Sequence, residues 1–224
     1  MFTVFLVDDD AGVLKALSRL LRTKGYDVRS YQSPEEFLAH HDDAVPGCAI
    51  LDVSMPGLNG LQLQQALTTE GAQRPVIFIT GVGDIPTSVR AMKAGAVDFL
   101  TKPVSDDELF AAIARAEELD AKSRQMRAEI ASIQAKIMTL TPREREVLAH
   151  VVSGRLNKQI AGDLGTVEKT IKVHRSRMMG KLGVHTVADL VRAAEKVGIA
   201  GIVGAGSRDP IGPTANSTSV GKPP

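Results

Sequence analysis

Cys48-Ala49-Ile50-Leu51-Asp52-Val53-Ser54-Met55-Pro56-Gly57 is the stretch on which the fold turns. Four small or apolar residues run into a carboxylate, and turn residues follow at once. A run of this length with such a boundary suits a buried strand, although a piece of buried helix would share its periodicity. On the strand reading Asp52 sits at the carboxyl end, the edge at which open parallel sheets bind ligands. Upstream, Val4-Phe5-Leu6-Val7 runs in the same way into Asp8-Asp9-Asp10. Two strands then deliver carboxylates to one rim.

The residues around these strands alternate between two periods. Val13, Leu14, Leu17, Leu20 and Leu21 make a helical stripe that Gly25 ends. Residues 28–31 form a second strand. Ser33, Pro34 and Glu36 then start a helix, with a cap, a first-position proline and a glutamate reaching back. After the strand at 48–51, Leu61, Leu63, Ala66 and Leu67 mark a helix. Residues 76–79 are a fourth strand ending at Thr80, and residues 86–94 a helix closed by Gly95. Residues 98–101 are a short fifth strand, and Ser105 caps a last helix with Glu108 three residues on. Five strands alternating with helices predict a doubly wound, five-stranded parallel sheet covered on both faces. Short loops make its crossovers right-handed. Asp8, Asp9, Asp52, Thr80 and Lys102 all follow strands, so they gather at one edge.

That gathering has a chemical reading. Adjacent carboxylates repel and hold protons unless a cation joins them. Mg²⁺, a hard cation that keeps several waters, suits oxygen ligands of this kind. Asp52 is then the nucleophile that forms an aspartyl phosphate. Mg²⁺ and Lys102 neutralise the phosphoryl oxygens, the Thr80 hydroxyl bonds one of them, and Gly81 leaves room for the group. Singly, an aspartate after a strand is more often a turn or cap residue, and Lys102-Pro103 a solvated turn. The combination carries the argument, because it recurs after the first, third, fourth and fifth strands.

Residues 3–119 resemble the receiver domain of bacterial two-component response regulators. The matching segments are Val7-Asp8-Asp9-Asp10, Asp52-Val53-Ser54-Met55-Pro56-Gly57, Thr80-Gly81 and Asp98-Phe99-Leu100-Thr101-Lys102-Pro103. The resemblance implies a flavodoxin-like order of strands in the sheet. It implies that Asp52 is phosphorylated by a sensor histidine kinase. It also implies a Mg²⁺ site made by Asp8, Asp9, Asp52 and the backbone carbonyl of Ser54. It makes Thr80 the switch hydroxyl, Lys102 the phosphate-binding lysine and Phe99 the aromatic that swings inward. Gly81-Val82-Gly83-Asp84 departs from the Gly-His-Gly-Asp often seen in the closest subfamily.

Charge divides the chain. The 224 residues sum to +1, but residues 1–120 carry −8 and residues 121–224 carry +9. An acidic half joined to a basic half implies different partners, with nucleic acid the natural one for the basic half. No apolar stretch reaches membrane-spanning length, and the start lacks a secretory signal pattern. A single cysteine, Cys48, rules out an internal disulfide and a Cys-rich zinc site. A cytoplasmic protein without a membrane partner is expected.

Residues 119–140 contain neither proline nor glycine. Met126, Ile130, Ile133, Ile137 and Leu140 follow a heptad spacing. Two readings stay open for this linker, placed at 120–139: an amphipathic helix packed on its own domain, or one that leaves the receiver and pairs with its twin. Thr141-Pro142-Arg143-Glu144 then starts a helix with a capping box. Further helices run over 157–164, 168–182 and 186–197. Two helices joined by a glycine turn, the second strongly basic, match a helix-turn-helix. Lys169, Lys172, Arg175 and Ser176 share one face of that basic helix. Ile171, Met178 and Leu182 lie opposite, and His174 is a packing residue.

Residues 136–200 resemble the DNA-binding domain of the LuxR family. The resemblance rests on Leu140-Thr141-Pro142-Arg143-Glu144-Arg145-Glu146-Val147-Leu148, Asn157-Lys158-Gln159-Ile160-Ala161 and Glu168-Lys169-Thr170-Ile171-Lys172-Val173-His174. It implies that Lys172, Val173 and Ser176 face base edges, while Lys169, Thr170, Arg175, Arg177, Asn157 and Lys158 hold phosphates. Residues 204–224, rich in Gly, Ser, Thr and Pro, are expected to be a disordered tail. The chain as a whole is expected to be a transcriptional response regulator rather than an enzyme. Its partners are then a sensor histidine kinase, double-stranded promoter DNA, a second copy after phosphorylation, and RNA polymerase. Two rivals are an enzyme that turns over on Asp52 and a DNA-binding protein whose receiver only dimerises.

Overall fold

The computed structural model describes residues 1–69, 74–81 and 85–199, which divide into two compact units between Glu129 and Ile130. The expected tail at 204–224 and residues 82–84 after Gly81 lie outside the described residues.

The first unit alternates strand and helix: β1 (Thr3–Val7), α1 (Ala11–Thr23), β2 (Asp27–Tyr31), α2 (Pro34–His40), β3 (Gly47–Asp52), α3 (Gly60–Thr69), β4 (Val76–Thr80), α4 (Ile85–Lys93), β5 (Asp98–Thr101) and α5 (Asp106–Met138). The strands pair in parallel in the order β2-β1-β3-β4-β5. Alternation along β1 shows why both faces are apolar. Val4 and Leu6 pack with α1 and α5 through Leu14, Leu21, Leu109 and Ile113. Phe5 and Val7 pack on the other face with Phe37, Leu63, Leu67 and Ala91 of α2, α3 and α4. A strand buried on both faces reads as a continuous apolar run, as β1 and β3 do. The Ser33 hydroxyl caps α2 by accepting the Glu36 N–H at 3.1 Å. The Glu36 carboxylate reaches back to the Gln32 N–H at 2.9 Å, one residue beyond the box predicted.

The linker is not a separate element. The helix predicted from Ser105 and the helix predicted over 120–139 are one, α5, of 33 residues. Nothing between them breaks the backbone ladder, since no Pro or Gly intervenes. Its heptad seam is divided: Met126 is 49% exposed, whereas Ile137 and Leu140 pack into the second unit's core.

Arg124 ties the middle of α5 to the receiver. Its guanidinium donates to the carbonyls of Asp43, Ala44 and Val45 at 2.9, 2.9 and 2.6 Å, and to buried Asp120 at 2.8 Å. Four charge-assisted bonds satisfy one planar fork. Arg124→Ala leaves Asp120 buried without its cation. It is expected to cost roughly 2–4 kcal/mol, read from chemical denaturation of the full chain, with Arg124→Lys recovering only part. A loss below about 0.5 kcal/mol, as at an ordinary surface position, would reject this anchor.

The second unit holds the last turns of α5 with α6 (Pro142–Val152), α7 (Asn157–Asp163), α8 (Glu168–Leu182) and α9 (Val187–Lys196). Val147, Leu148, Ile160, Ile171, Met178 and Leu190 are central to its core. Thr141 and Glu144 form the capping box of α6. Gly183, in the left-handed region at φ 70°, ends α8, a conformation that glycine adopts without steric cost.

Candidate functional site

Three strand ends converge as the parallel sheet requires. Asp8 follows β1, Asp52 ends β3 and Lys102 follows β5. The Lys102 ammonium lies 2.6 Å from Asp8 Oδ2 and 2.7 Å from Asp52 Oδ1, joining residues 94 and 50 positions away in sequence. Both carboxylates are buried, at 5% exposure each. Burial lowers the Lys102 pKa, but hydrogen bonds and charge from Asp52 and Asp8 outweigh it and leave the group above its ordinary value. The ammonium therefore stays charged throughout the physiological range. The second oxygen of Asp52 accepts the Ser54 N–H at 2.5 Å, so the turn after β3 orients the carboxylate.

The three consecutive aspartates do different things. Asp8 turns inward and accepts the Asp10 N–H at 2.9 Å as well as the lysine. Asp10 caps α1, accepting from Gly12 and Val13 at 2.7 and 3.2 Å. Asp9 is exposed beside them. Among the described residues no three His, Cys, Asp or Glu side chains converge as a ready metal cluster. The two buried carboxylates nonetheless fit a hard divalent cation: they are oxygen donors close enough to share one cation already, and Mg²⁺ completes its shell with water.

Thr80 is fully buried at the end of β4, and its carbonyl accepts the Lys102 N–H at 2.7 Å. Phe99, on β5, is half-buried and tilted against Phe78 with ring centroids 6.1 Å apart. Thr80 and Thr101 are register partners, so the hydroxyl, the lysine and the aromatic share two neighbouring strands.

The second unit presents the other candidate face. On α8, Lys169, Lys172, Val173, Ser176 and Arg177 are exposed, opposite buried Ile171, Met178 and Leu182. Thr170 and Arg175 are half-buried. Arg175 donates to Asn157 Oδ1 at 2.9 Å, so the first residue of α7 aims a cation of α8. Lys158 beside it is exposed.

Comparison with known proteins follows the same division. Residues 4–114 match the response regulator receiver domain family, and residues 138–194 match the bacterial regulatory proteins of the luxR family. The response regulator protein TmoT of Ectopseudomonas mendocina is 44% identical over 87% of this chain and 88% of that protein. The transcriptional regulatory protein FixJ of Rhizobium meliloti is 41% identical over 86% of this chain and 95% of that one. The chain belongs to the FixJ-type response regulators.

Among solved structures, response regulator StyR superimposes with a TM-score of 0.75 at 45% identity, over 87% of this chain and 98% of that one. This response regulator thus joins a receiver domain to a LuxR-type helix-turn-helix, the composition of a transcription regulator in a two-component system. Among the described residues no helix is long and apolar enough to cross a membrane.

Two residues beside the candidate sites escape pattern reading. A Cβ at Gly60 would stand 2.3 Å from the Asp52 carbonyl oxygen, so α3 starts against the backbone of Asp52 only because the side chain is absent. The sequence signal was a lone glycine in a loop that already contained Gly57. His185, in the turn after α8, lines a 510 Å³ groove with Asn157, Lys172, Arg175 and Ser176. It lies outside every helical period, so only the fold brings it there.

The basic helix α8 is also tied at its end. Lys181 Nζ lies 2.7 Å from Glu144 and 3.1 Å from the Thr139 carbonyl, and Glu144 accepts the Thr141 N–H at 2.9 Å. The Lys181 hydrogen bond, followed by that backbone bond, holds the Glu144 carboxyl below its ordinary range despite burial. Its folded pKa is lower than its unfolded one, near 4.3. The stabilisation is therefore complete above that value and disappears as pH falls through the folded pKa. Lys181→Met should lower the stability of the second unit at pH 7, and the gap to wild type should shrink below about pH 4. Melting of both proteins across pH 3–7 checks this; a constant gap would reject the pair.

Proposed function

We propose that a sensor histidine kinase phosphorylates this regulator on Asp52 and that the phosphorylated chain dimerises and binds promoter DNA. The observation that carries the reading is the Lys102 ammonium shared by Asp8 and Asp52 at the strand ends. A carboxylate already aligned with a cation is prepared to become an acyl phosphate, the mixed anhydride with a dianionic phosphoryl group. An Asp52 oxygen attacks phosphorus, the new P–O bond forms as the bond to the donor breaks, and the leaving group keeps its electron pair. Asp8, Asp9, Asp52 and the Ser54 carbonyl would hold Mg²⁺, which supplies charge neutralisation at the phosphoryl oxygens. Lys102 shifts from the carboxylates to the phosphoryl group. The Thr80 hydroxyl bonds a second oxygen, and Phe99 turns into the space this vacates.

The receiver on this reading spans 3–119, the linker 120–139 and the DNA-binding domain 136–200. Lys172, Val173 and Ser176 read base edges. Lys169, Thr170, Arg175, Arg177, Asn157 and Lys158 hold phosphates, with Asn157 acting through Arg175 as well. The protein works in the cytoplasm, and the bound dimer meets RNA polymerase at the promoter.

Duplex binding by the full chain, with and without a small phosphodonor and Mg²⁺, tests the reading. Lys172→Ala should remove sequence discrimination. Arg177→Ala should weaken all duplexes about equally and flatten the salt slope by about 1. Identical behaviour of the two variants would overturn the division of roles. Binding indifferent to phosphodonor would leave the receiver a dimerisation module.

A further inference from the structure

Glu168 is the only acidic residue of α8, and it stands at the first turn. Its carboxylate lies 3.1 Å from Lys172 Nζ, with both side chains largely exposed, at 46% and 64%. A carboxylate on a face that meets phosphates is repelled by every duplex, whatever its sequence. A base edge that donates to the carboxylate offsets that repulsion at the sequences that carry it. In the major groove adenine N6 and cytosine N4 both present amino donors, but cytosine N4 is the one Glu recurrently accepts from, and thymine opposite adenine offers a lysine only O4. The paired guanine presents O6 and N7, which Lys fills.

The spacing of the pair matches. Guanine O6 and cytosine N4 are themselves hydrogen-bonded, about 2.9 Å apart, close to the 3.1 Å between the carboxylate oxygen and the ammonium. We infer that Glu168 and Lys172 act as one reading unit for a single G·C pair in each half-site, Lys172 donating to guanine and Glu168 accepting from cytosine. The inference rests on the reading of α8 as the helix that enters the major groove. Glu168 is thus a specificity-determining residue, and the Lys172–Glu168 ion pair of the free protein is the unit already formed.

The first-turn position gives Glu168 an ordinary duty too, since an acid there opposes the positive end of the helix dipole. The two roles separate in one experiment. The phosphodonor-treated full chain selects duplexes from a random library, and Glu168→Ala, Glu168→Gln and Lys172→Ala are run in parallel, each with a melting curve. Wild type should fix one G·C pair per half-site. Glu168→Ala should relax that position by roughly 10- to 100-fold while keeping preference elsewhere. It should also bind random duplex more tightly, with a salt slope steeper by up to about 0.9. Lys172→Ala, expected to lose discrimination more widely, should relax that position among those it loses. Glu168→Gln keeps a side chain of the same length should the alanine variant melt early, and it should show the same steeper salt slope.

Loss of affinity for all duplexes alike, with every preferred position kept, would reduce Glu168 to a helix-end charge and overturn the inference. So would a Lys172→Ala variant that kept the position relaxed in Glu168→Ala. A wild-type chain that selects no duplex would remove the DNA-binding reading itself, and the reading unit with it.

Discussion

Asp52→Asn should abolish stable phosphoryl labelling and leave the receiver folded. Acetyl phosphate with Mg²⁺ labels wild type in this reading, because a carboxylate oxygen can form an acyl phosphate and a carboxamide cannot do so stably. The loss should exceed roughly 100-fold, the scale on which removal of a nucleophile acts. The fold should survive because Asn matches Asp in size, Lys102 keeps Asp8 at 2.6 Å, and the amide oxygen still accepts from Ser54. Full labelling of the variant would place the phosphoacceptor elsewhere. Asp9→Ala is the companion measurement. Asp9 is exposed and outside the carboxylate–lysine contact, so its loss should weaken the Mg²⁺ dependence of labelling without removing labelling.

Phosphorylation should convert the protein from monomer to dimer and tighten operator binding by roughly 10²–10⁴-fold, the range that linking two binding modules supplies. The expected contact surface is α4 with β5. Ile85, Val89 and Met92 are four and three residues apart on α4 and are 80%, 44% and 46% exposed, an apolar row along one side of the helix. The helix that carries the row follows β4, which ends at Thr80, and packs on β5, which carries Phe99. A shift of Thr80 toward a phosphoryl group and of Phe99 into its place alters the surface beside the row. Two receivers paired there bring two α8 helices to half-sites about one helical turn apart. Exposed Met126 adds a contact if the first part of the linker seam pairs. Sedimentation of wild type, Thr80→Ala and Val89→Glu, with and without phosphodonor, measures this. Wild type alone should dimerise. An unchanged monomer with unchanged DNA affinity would remove the switch, and dimerisation of Val89→Glu would move the interface off α4.

The doubly wound sheet was legible because its determinants are local. Apolar runs at 4–7, 48–51 and 76–79, each ending in a polar residue and separated by helical stripes, specify strands buried on both faces. Parallel order then puts Asp8, Asp52, Thr80 and Lys102 at one edge with no further information. The capping residues Ser33, Thr141 and Gly183 were legible for the same reason, since their partners lie within three or four positions. What each acid does was not legible. Asp8 and Asp10 are chemically identical, and only the path of the chain into α1 makes one a lysine partner and the other a helix cap. The continuity of α5 was half-visible in the absence of Pro and Gly. Its attachment was hidden, because Arg124 is held by backbone carbonyls 79 to 81 residues earlier, and a carbonyl has no residue type to announce it. The need for glycine at position 60 was hidden likewise: it comes from the approach of one backbone to another at Asp52, a distance that exists only once the sheet and α3 have packed.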